Sequence, residues 1–314
     1  MARDTAGGTG TESTRTGVGA RLAAVRALLS PRTEAERERR RVAVMSLPYF
    51  VLAIFGAFLP LGMLARMSLS ENQFRNEGFS LDAWETLATE PVYREIAWNT
   101  LWFATVTTTF SVLVAVALSH ALAKYDLPFR RWIVAMVSFP IALPGIVVGF
   151  MIVVLLGRTG LLTNAVAFFT GGSRIDLATA LTVGGLFLGY AFSLIPRATM
   201  VLRGTFEEIN TDAEEAARAL GASPLLTFYH VTLPQVWPGV VAAFVLTFRT
   251  ALAIFGTVLV LPALNVATLR INLEIQDLGF NLAVASAMGL VYFVFIFGFT
   301  FAGVRLIDNE SLKI

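Results

Sequence analysis

Two adjacent carboxylates, Glu214 and Glu215, stand in a polar stretch from Glu207 to Gln235 that separates two strongly apolar runs. Ala216, Ala217, Gly221, Ser223, Pro224, Leu225, Leu226, Phe228, His230, Leu233 and Pro234 follow within it. These residue types do not assemble a catalytic set. The chain has no cysteine and only two histidines, His120 and His230, which excludes thiol nucleophiles, disulfides and thiolate or imidazole-rich metal sites. Gly7, Gly8 and Gly10 precede no Gly-Lys-Ser/Thr, so no phosphate-cradling nucleotide loop is present. The chain reads as a non-enzyme that binds no cofactor of its own. What the stretch can do is dock: it combines carboxylates, small residues and apolar side chains in a form that suits a partner's surface.

Local signals shape that stretch into two short helices. Thr211 or Asp212 can cap the first, with Glu214 or Glu215 three residues on in the reciprocal capping spacing. The run Ala216, Ala217, Ala219, Leu220 favours helix, and Gly221 falls where a left-handed C-terminal residue is wanted. Ser223 caps the second helix, with Pro224 at its first position, where the missing N–H costs nothing. Leu233-Pro234 is expected to close the unit.

The elements that hold this stretch in place are apolar. The chain is 56% hydrophobic and only 15% charged, with mean hydropathy +0.69, whereas soluble domains carry about 25% charged residues. A run of about 20 apolar residues crosses a hydrocarbon core of about 30 Å. Six segments qualify: 42–64, 97–122, 132–156, 178–196, 236–261 and 282–304. An all-α polytopic membrane protein follows, since a lipid-exposed backbone must satisfy its own hydrogen bonds. The runs are continuous rather than alternating, which excludes an outer-membrane barrel. Residues 1–41 read as a disordered basic tail, 42–96 as the first span and an external loop, 97–305 as the core, and 306–314 as a C-terminal tail. The first run lies too deep and is too long for a cleaved signal peptide. A net charge of +2 gives no argument for nucleic acid. Most of the 24 Lys and Arg fall on the side that carries both termini and the polar stretch, which the positive-inside rule makes cytoplasmic.

Within the spans three residues stand out. Pro140 and Pro144 should kink the third, followed by Gly145 and Gly149, and Gly185 and Gly189 form a similar close-contact pair in the fourth. A kink that only packs, or a broken helix lining a translocation path, both fit the prolines. Arg249 lies near the middle of the fifth, where a charge costs about 2.5–3.5 kcal/mol on insertion scales. It either pairs inside the bundle or lines a path, and a path of that kind favours an anionic or zwitterionic solute. Ser80 to Trp84 reads as a short surface helix capped by serine. The segment 160–170 either lies in the interface or extends the third span. Asn265, Asn272, Glu274, Gln276 and Asp277 read as a solvated loop on the external side.

Glu215-Ala216-Ala217, then Gly221, then Val231-Thr232-Leu233-Pro234 resembles the EAA signature of permease subunits in binding-protein-dependent, type I ABC importers, with valine where isoleucine is usual. The resemblance covers about residues 95–305. It implies a six-helix permease fold in the inner membrane, with both termini cytoplasmic and a cytoplasmic coupling loop at 207–235. It also implies partners: ATPase subunits that hydrolyse ATP, a second permease subunit to complete the pathway, and an extracytoplasmic solute-binding protein. The coupling role falls on Glu215, Ala216, Ala217, Gly221, Leu225, Leu226, Phe228, Leu233 and Pro234. The run Leu143 to Gly149, and Ile195-Pro196 followed by Glu207-Glu208-Ile209-Asn210, look most like the group serving polyamines, thiamine, ferric iron, phosphonates, sulfate and molybdate. Sulfate and molybdate members rank lower because Ala251 to Gly256 lacks their glutamate. A spermidine/putrescine-type solute therefore leads. The alternative is a secondary transporter driven by an ion gradient, which needs an intramembrane carboxylate, and no span core here contains Asp or Glu.

Overall fold

The computed structural model describes residues 34–71, 78–276 and 281–311. Residues 1–33 of the expected tail, Arg75, Asp277 and the last three residues lie outside the described residues. The chain divides into two compact units at Met63.

The first unit contains α1 (Glu34–Ala53), a widened π turn (Ile54–Phe58) and the start of α2 (Leu59–Ser68). The chain is already helical at Glu34, eight residues before the apolar run, so the basic stretch to Arg41 is helical. No described side chain between residues 34 and 63 is buried. The π turn ends two residues before Pro60. A proline lacks the N–H for the next ladder bond and its ring crowds the carbonyl four residues back, and the wider turn, closed by Leu59 N–H on the Ile54 carbonyl, relieves both.

Helix is the one regular structure among the described residues of the second unit. In order it holds α3 (Asp82–Thr89), α4 (Pro91–Lys124), α5 (Arg130–Ser138), a 3-10 turn (Phe139–Ala142), α6 (Gly145–Leu156), α7 (Leu161–Thr170), α8 (Arg174–Leu177) and α9 (Val183–Glu207). Then come α10 (Thr211–Ala219), α11 (Pro224–Thr227), a second π turn (Phe228–Thr232), α12 (Leu233–Ala253), α13 (Gly256–Val260), α14 (Ala267–Gln276) and α15 (Leu282–Ser311). Among the described residues six helices are long and apolar enough to cross a membrane, as expected. The short helix after Ser80 is present, but Leu81 and not Ser80 is its N-cap residue; Ser80 Oγ accepts the Asp82 N–H at 2.9 Å from one position earlier.

Several boundaries differ from the sequence reading. The fourth span starts later and runs through Pro196 to Glu207. The third is not a kinked rod: α5 ends, a 3-10 turn carries Pro140, and helix resumes only after Pro144, at Gly145. Residues 161–170 form a separate helix after a break at 157–160. The fifth span ends at Ala253, and the chain breaks before restarting at Gly256. Three hydroxyls stand in for the missing ladder bonds there. Tyr292 donates to the Leu252 carbonyl at 2.6 Å, and Tyr190 and Thr268 both reach the Ile254 carbonyl at 3.4 Å. Asn272 and Gln276 lie on α14, which packs on α15, so that segment is not a solvated loop. Glu274 is buried there, accepting from Tyr93 at 2.9 Å and pairing with Arg270 at 2.7 Å.

Helix α9 sits at the centre, packed on α4, α6 and α12. The main core joins Phe103, Ile152, Leu186, Leu194, Leu252 and Leu261. Lipid removes most of the hydrophobic drive between helices, so close packing must hold them. Glycines supply it: a Cβ on Gly149 would lie 2.7 Å from Val260 Cβ, and one on Gly189 2.9 Å from Thr257 Cγ2. The two helix breaks meet directly. A Cβ on Gly256 would fall 2.6 Å from the Ile146 nitrogen, and Thr257 Oγ1 donates to the Gly145 carbonyl at 2.9 Å.

Candidate functional site

The stretch 207–235 is a built hairpin of helices. Asn210, not Thr211 or Asp212, caps α10, its side-chain oxygen accepting the Asp212 N–H at 2.8 Å. No reciprocal capping box forms, because with Asn210 as the cap the third helical position is Ala213, which has no carboxylate. At the other end Gly221 adopts φ +90°, its N–H donates to the Arg218 carbonyl at 2.9 Å, and the Ala222 N–H donates to the Ala217 carbonyl at 3.0 Å. This pair of bonds is the Schellman closure. No atom lies within 4 Å of a Cβ built on Gly221, so backbone conformation and not crowding calls for glycine. Ser223 caps α11 as expected, accepting the Leu226 N–H at 3.3 Å, with Pro224 first.

Leu233-Pro234 does not close the unit. The second π turn widens the helix just before Pro234, as the first does before Pro60, and α11 continues through it into α12. The second half of the hairpin is therefore the leading end of the fifth span, Pro224–Ala253.

The side chains divide between two faces. Glu215, Ala216 and Pro234 are exposed and Ala217 half-buried. Leu225 and Leu226 point outward, at 77% and 51% exposure, beside Leu220 at 89% and Tyr229 at 65%. Phe228 and Leu233 instead pack on the cluster of Val112, Leu202, Phe206 and Val236. Phe228 also stands edge-on to His120, with ring centroids 5.0 Å apart.

Sequence reasoning missed Glu214. The residue is 3% exposed, its Oε2 lies 2.7 Å from Lys124 Nζ, and its Oε1 accepts from Thr232 Oγ1 at 2.7 Å. Burial pushes this carboxyl up, but the bonds from Lys124 and Thr232, with the Lys124 and Arg218 charges, outweigh it and hold the group below the ordinary carboxylate range. The available signal was that Lys124 is the charge that ends the second apolar run. Beside the cluster runs a groove of about 440 Å³ lined by His120, Tyr125, Glu214, Arg218 and Leu225.

The residues expected along a path lie apart from the hairpin. Pro140 is buried and Pro144 exposed, flanking the break before α6. Arg249 is exposed on α12, on one stripe with Leu246 and Ala253. It makes no ion pair among the described residues.

Residues 107–309 match the family model described as "Binding-protein-dependent transport system inner membrane component". The chain belongs to that family. It is a membrane-spanning permease component of type I ABC importers, not an enzyme. The permease is 27% identical over 250 residues to the sulfate transport system permease protein CysT of Salmonella typhimurium, covering 78% of this chain and 87% of the relative. It is 30% identical over 147 residues to the molybdenum transport system permease protein ModB of Haemophilus influenzae, covering 47% of this chain and 62% of the relative. In fold it is similar to a bacterial alginate ABC transporter solved in complex with an alginate pentasaccharide-bound periplasmic protein. The TM-score is 0.73 at 18% identity, over 88% of this chain and 96% of that one.

The ranking of polyamine ahead of sulfate and molybdate gains no support from these relatives. It leaned on the absence of a glutamate between Ala251 and Gly256. In the permease that stretch is the break after α12, where Ile254 packs against the central core and hydroxyls from three other helices satisfy the backbone. A carboxylate is not needed to form the break.

Proposed function

We propose that this permease, paired with a second permease subunit, passes a small oxyanion of the sulfate or molybdate type, and that a separate ATPase drives it through the hairpin at 207–235. The coupling reading rests on one observation above all. Leu220, Leu225, Leu226 and Tyr229 stand exposed at the tip of a hairpin whose caps, Schellman closure and continuity with α12 make it stiff. Exposed apolar side chains on a rigid, water-facing tip fit a partner's groove. In this reading Ala216 and Ala217 let the helix lie deep in that groove, Glu215 meets a basic partner group, and Gly221 fixes the angle between the two helical arms. Phe228, Leu233 and Pro234 tie the hairpin to the fifth span instead of to the ATPase.

The bias of basic residues supports placing the hairpin and both termini in the cytoplasm, where ATP is available. Delivery by an extracytoplasmic binding protein fits the family. The oxyanion reading is supported by the names of the relatives and by Arg249. A guanidinium with no ion pair among the described residues is too costly to leave facing lipid at that depth, and its exposed face fits a second subunit and a shared aqueous path. In this reading Pro144, exposed at the break before α6, also borders the path.

The test is reconstitution with candidate ATPase and binding-protein subunits from the same organism. Radiolabelled sulfate and molybdate should be retained by the binding protein and taken up with ATP, and Leu225→Asp should release the ATPase from the detergent-solubilised complex. Retention of spermidine with no oxyanion uptake overturns the solute reading. An ATPase that stays bound to the Leu225→Asp variant and drives normal uptake overturns the docking reading.

A further inference from the structure

We infer that Lys124, Glu214 and Thr232 form a positioning clamp that makes the second apolar span, α4, move as one body with the hairpin. The inference rests on the coupling reading above. By chain connectivity alone the hairpin can pull only on α9, which precedes it, and α12, which follows it. The clamp adds a third element remote in sequence.

Three observations carry it. Lys124 is the last residue of α4, and its ammonium lies 2.7 Å from Glu214 Oε2, with the two side chains 13% and 4% exposed. The other carboxylate oxygen takes the hydroxyl of Thr232, itself 1% exposed, at 2.7 Å. Each oxygen of Glu214 thus holds a different element: the end of α4 and the π turn that leads into α12. Phe228 backs the arrangement by packing edge-on against His120, one helical turn before Lys124. A buried ion pair of this kind is poorly suited to adding stability, because desolvation offsets most of its attraction. Fixed geometry is the benefit that remains. When the ATPase displaces α10, Glu214 carries the end of α4 with it, so a helix that contributes heavily to the core is shifted directly.

The readout is uptake per ATP hydrolysed in proteoliposomes holding the full transporter and its binding protein, with labelled sulfate as the probe. Glu214→Gln and Lys124→Met should keep ATPase co-purification, since the outward face is unchanged, but uptake per ATP should fall about tenfold. The reversed pair Lys124→Glu with Glu214→Lys should recover at least half of it. Thr232→Val, which keeps the ion pair, should show a smaller fall of about threefold, and it remains informative if either charge variant fails to insert. A purely structural clamp lowers the amount of transporter and leaves uptake per ATP unchanged. That unchanged ratio in Glu214→Gln or Thr232→Val, with ATPase bound, overturns the inference. Loss of ATPase from the unmodified permease would instead count against the coupling reading.

Discussion

Gly221 gives the sharpest test of whether the hairpin's shape matters. Its φ of +90° is open to glycine, tolerated by asparagine and resisted by side chains branched at Cβ. Forcing an L residue with a Cβ into the left-handed region costs about 1–2 kcal/mol. No neighbouring atom would meet the new side chain, so that backbone penalty is the whole expected effect and the membrane-embedded fold is untouched. At about 1.4 kcal/mol per tenfold, the population of correctly bent hairpin drops roughly 5- to 30-fold. The expected order of ATPase affinity, measured by titrating purified ATPase against the solubilised permease, is glycine, then Gly221→Asn, Gly221→Ala and Gly221→Val. Insertion and thermal unfolding of the permease alone should stay the same across the series. Gly221→Asp should fall near the asparagine variant in backbone cost but abolish uptake if the added charge enters the groove. A valine variant that binds ATPase within twofold of the original would show that the bend is incidental.

Four other outcomes follow from the same geometry. Leu220→Asp and Tyr229→Asp should weaken ATPase co-purification while leaving expression in the membrane unchanged, as their side chains are exposed. Arg249→Ala should lower sulfate and molybdate uptake at least tenfold without loss of inserted protein, and equal uptake would remove Arg249 from the path. Gly256→Ala must push against the Ile146 backbone at 2.6 Å, so it should lower thermal stability by several degrees, more than Thr257→Val, which loses one hydrogen bond worth about 1 kcal/mol. Glu214 has a depressed pKa, so its contribution is complete above the ordinary carboxylate value of about 4.3 and is lost as pH falls through the lower folded value. Protease cleavage of the hairpin should therefore rise in that acid range, and Glu214→Gln should flatten the rise.

The helices themselves were legible because 20 apolar residues in a row have few other fates. Their ends were not. Pro196 looked like a terminus, yet α9 passes through it, since neighbouring helices in a membrane can cover a freed carbonyl. The break at Ile254 carries no proline, and the hydroxyls that make it affordable come from Tyr190, Thr268 and Tyr292, distant in sequence. Within the hairpin, Gly221, Ser223 and Pro224 were readable because their chemistry is local to the turn. Glu214 was not, because the residue that decides its direction is Lys124, at the end of another helix. Capping rules consider partners within one turn, and the partners of Glu214 are Lys124 and Thr232. Thr211 and Asp212 lost the cap to Asn210 through a shift of one residue, the usual scale of uncertainty for a helix start.

The unbroken run from Pro224 to Ala253 has a mechanical meaning of its own. Its 30 residues, at 1.5 Å each, make a shaft about 45 Å long, in a hydrocarbon layer of about 30 Å. Roughly 15 Å of it must stand clear of the oily interior, far enough to lift whatever grips its tip beyond the fatty-acid tails. A tilt of 10° at that wet end would sweep the opposite end by about 8 Å, a stride wider than a water molecule. The far end is the place where the backbone lets go of its ladder, so the sweep arrives at a joint already cut.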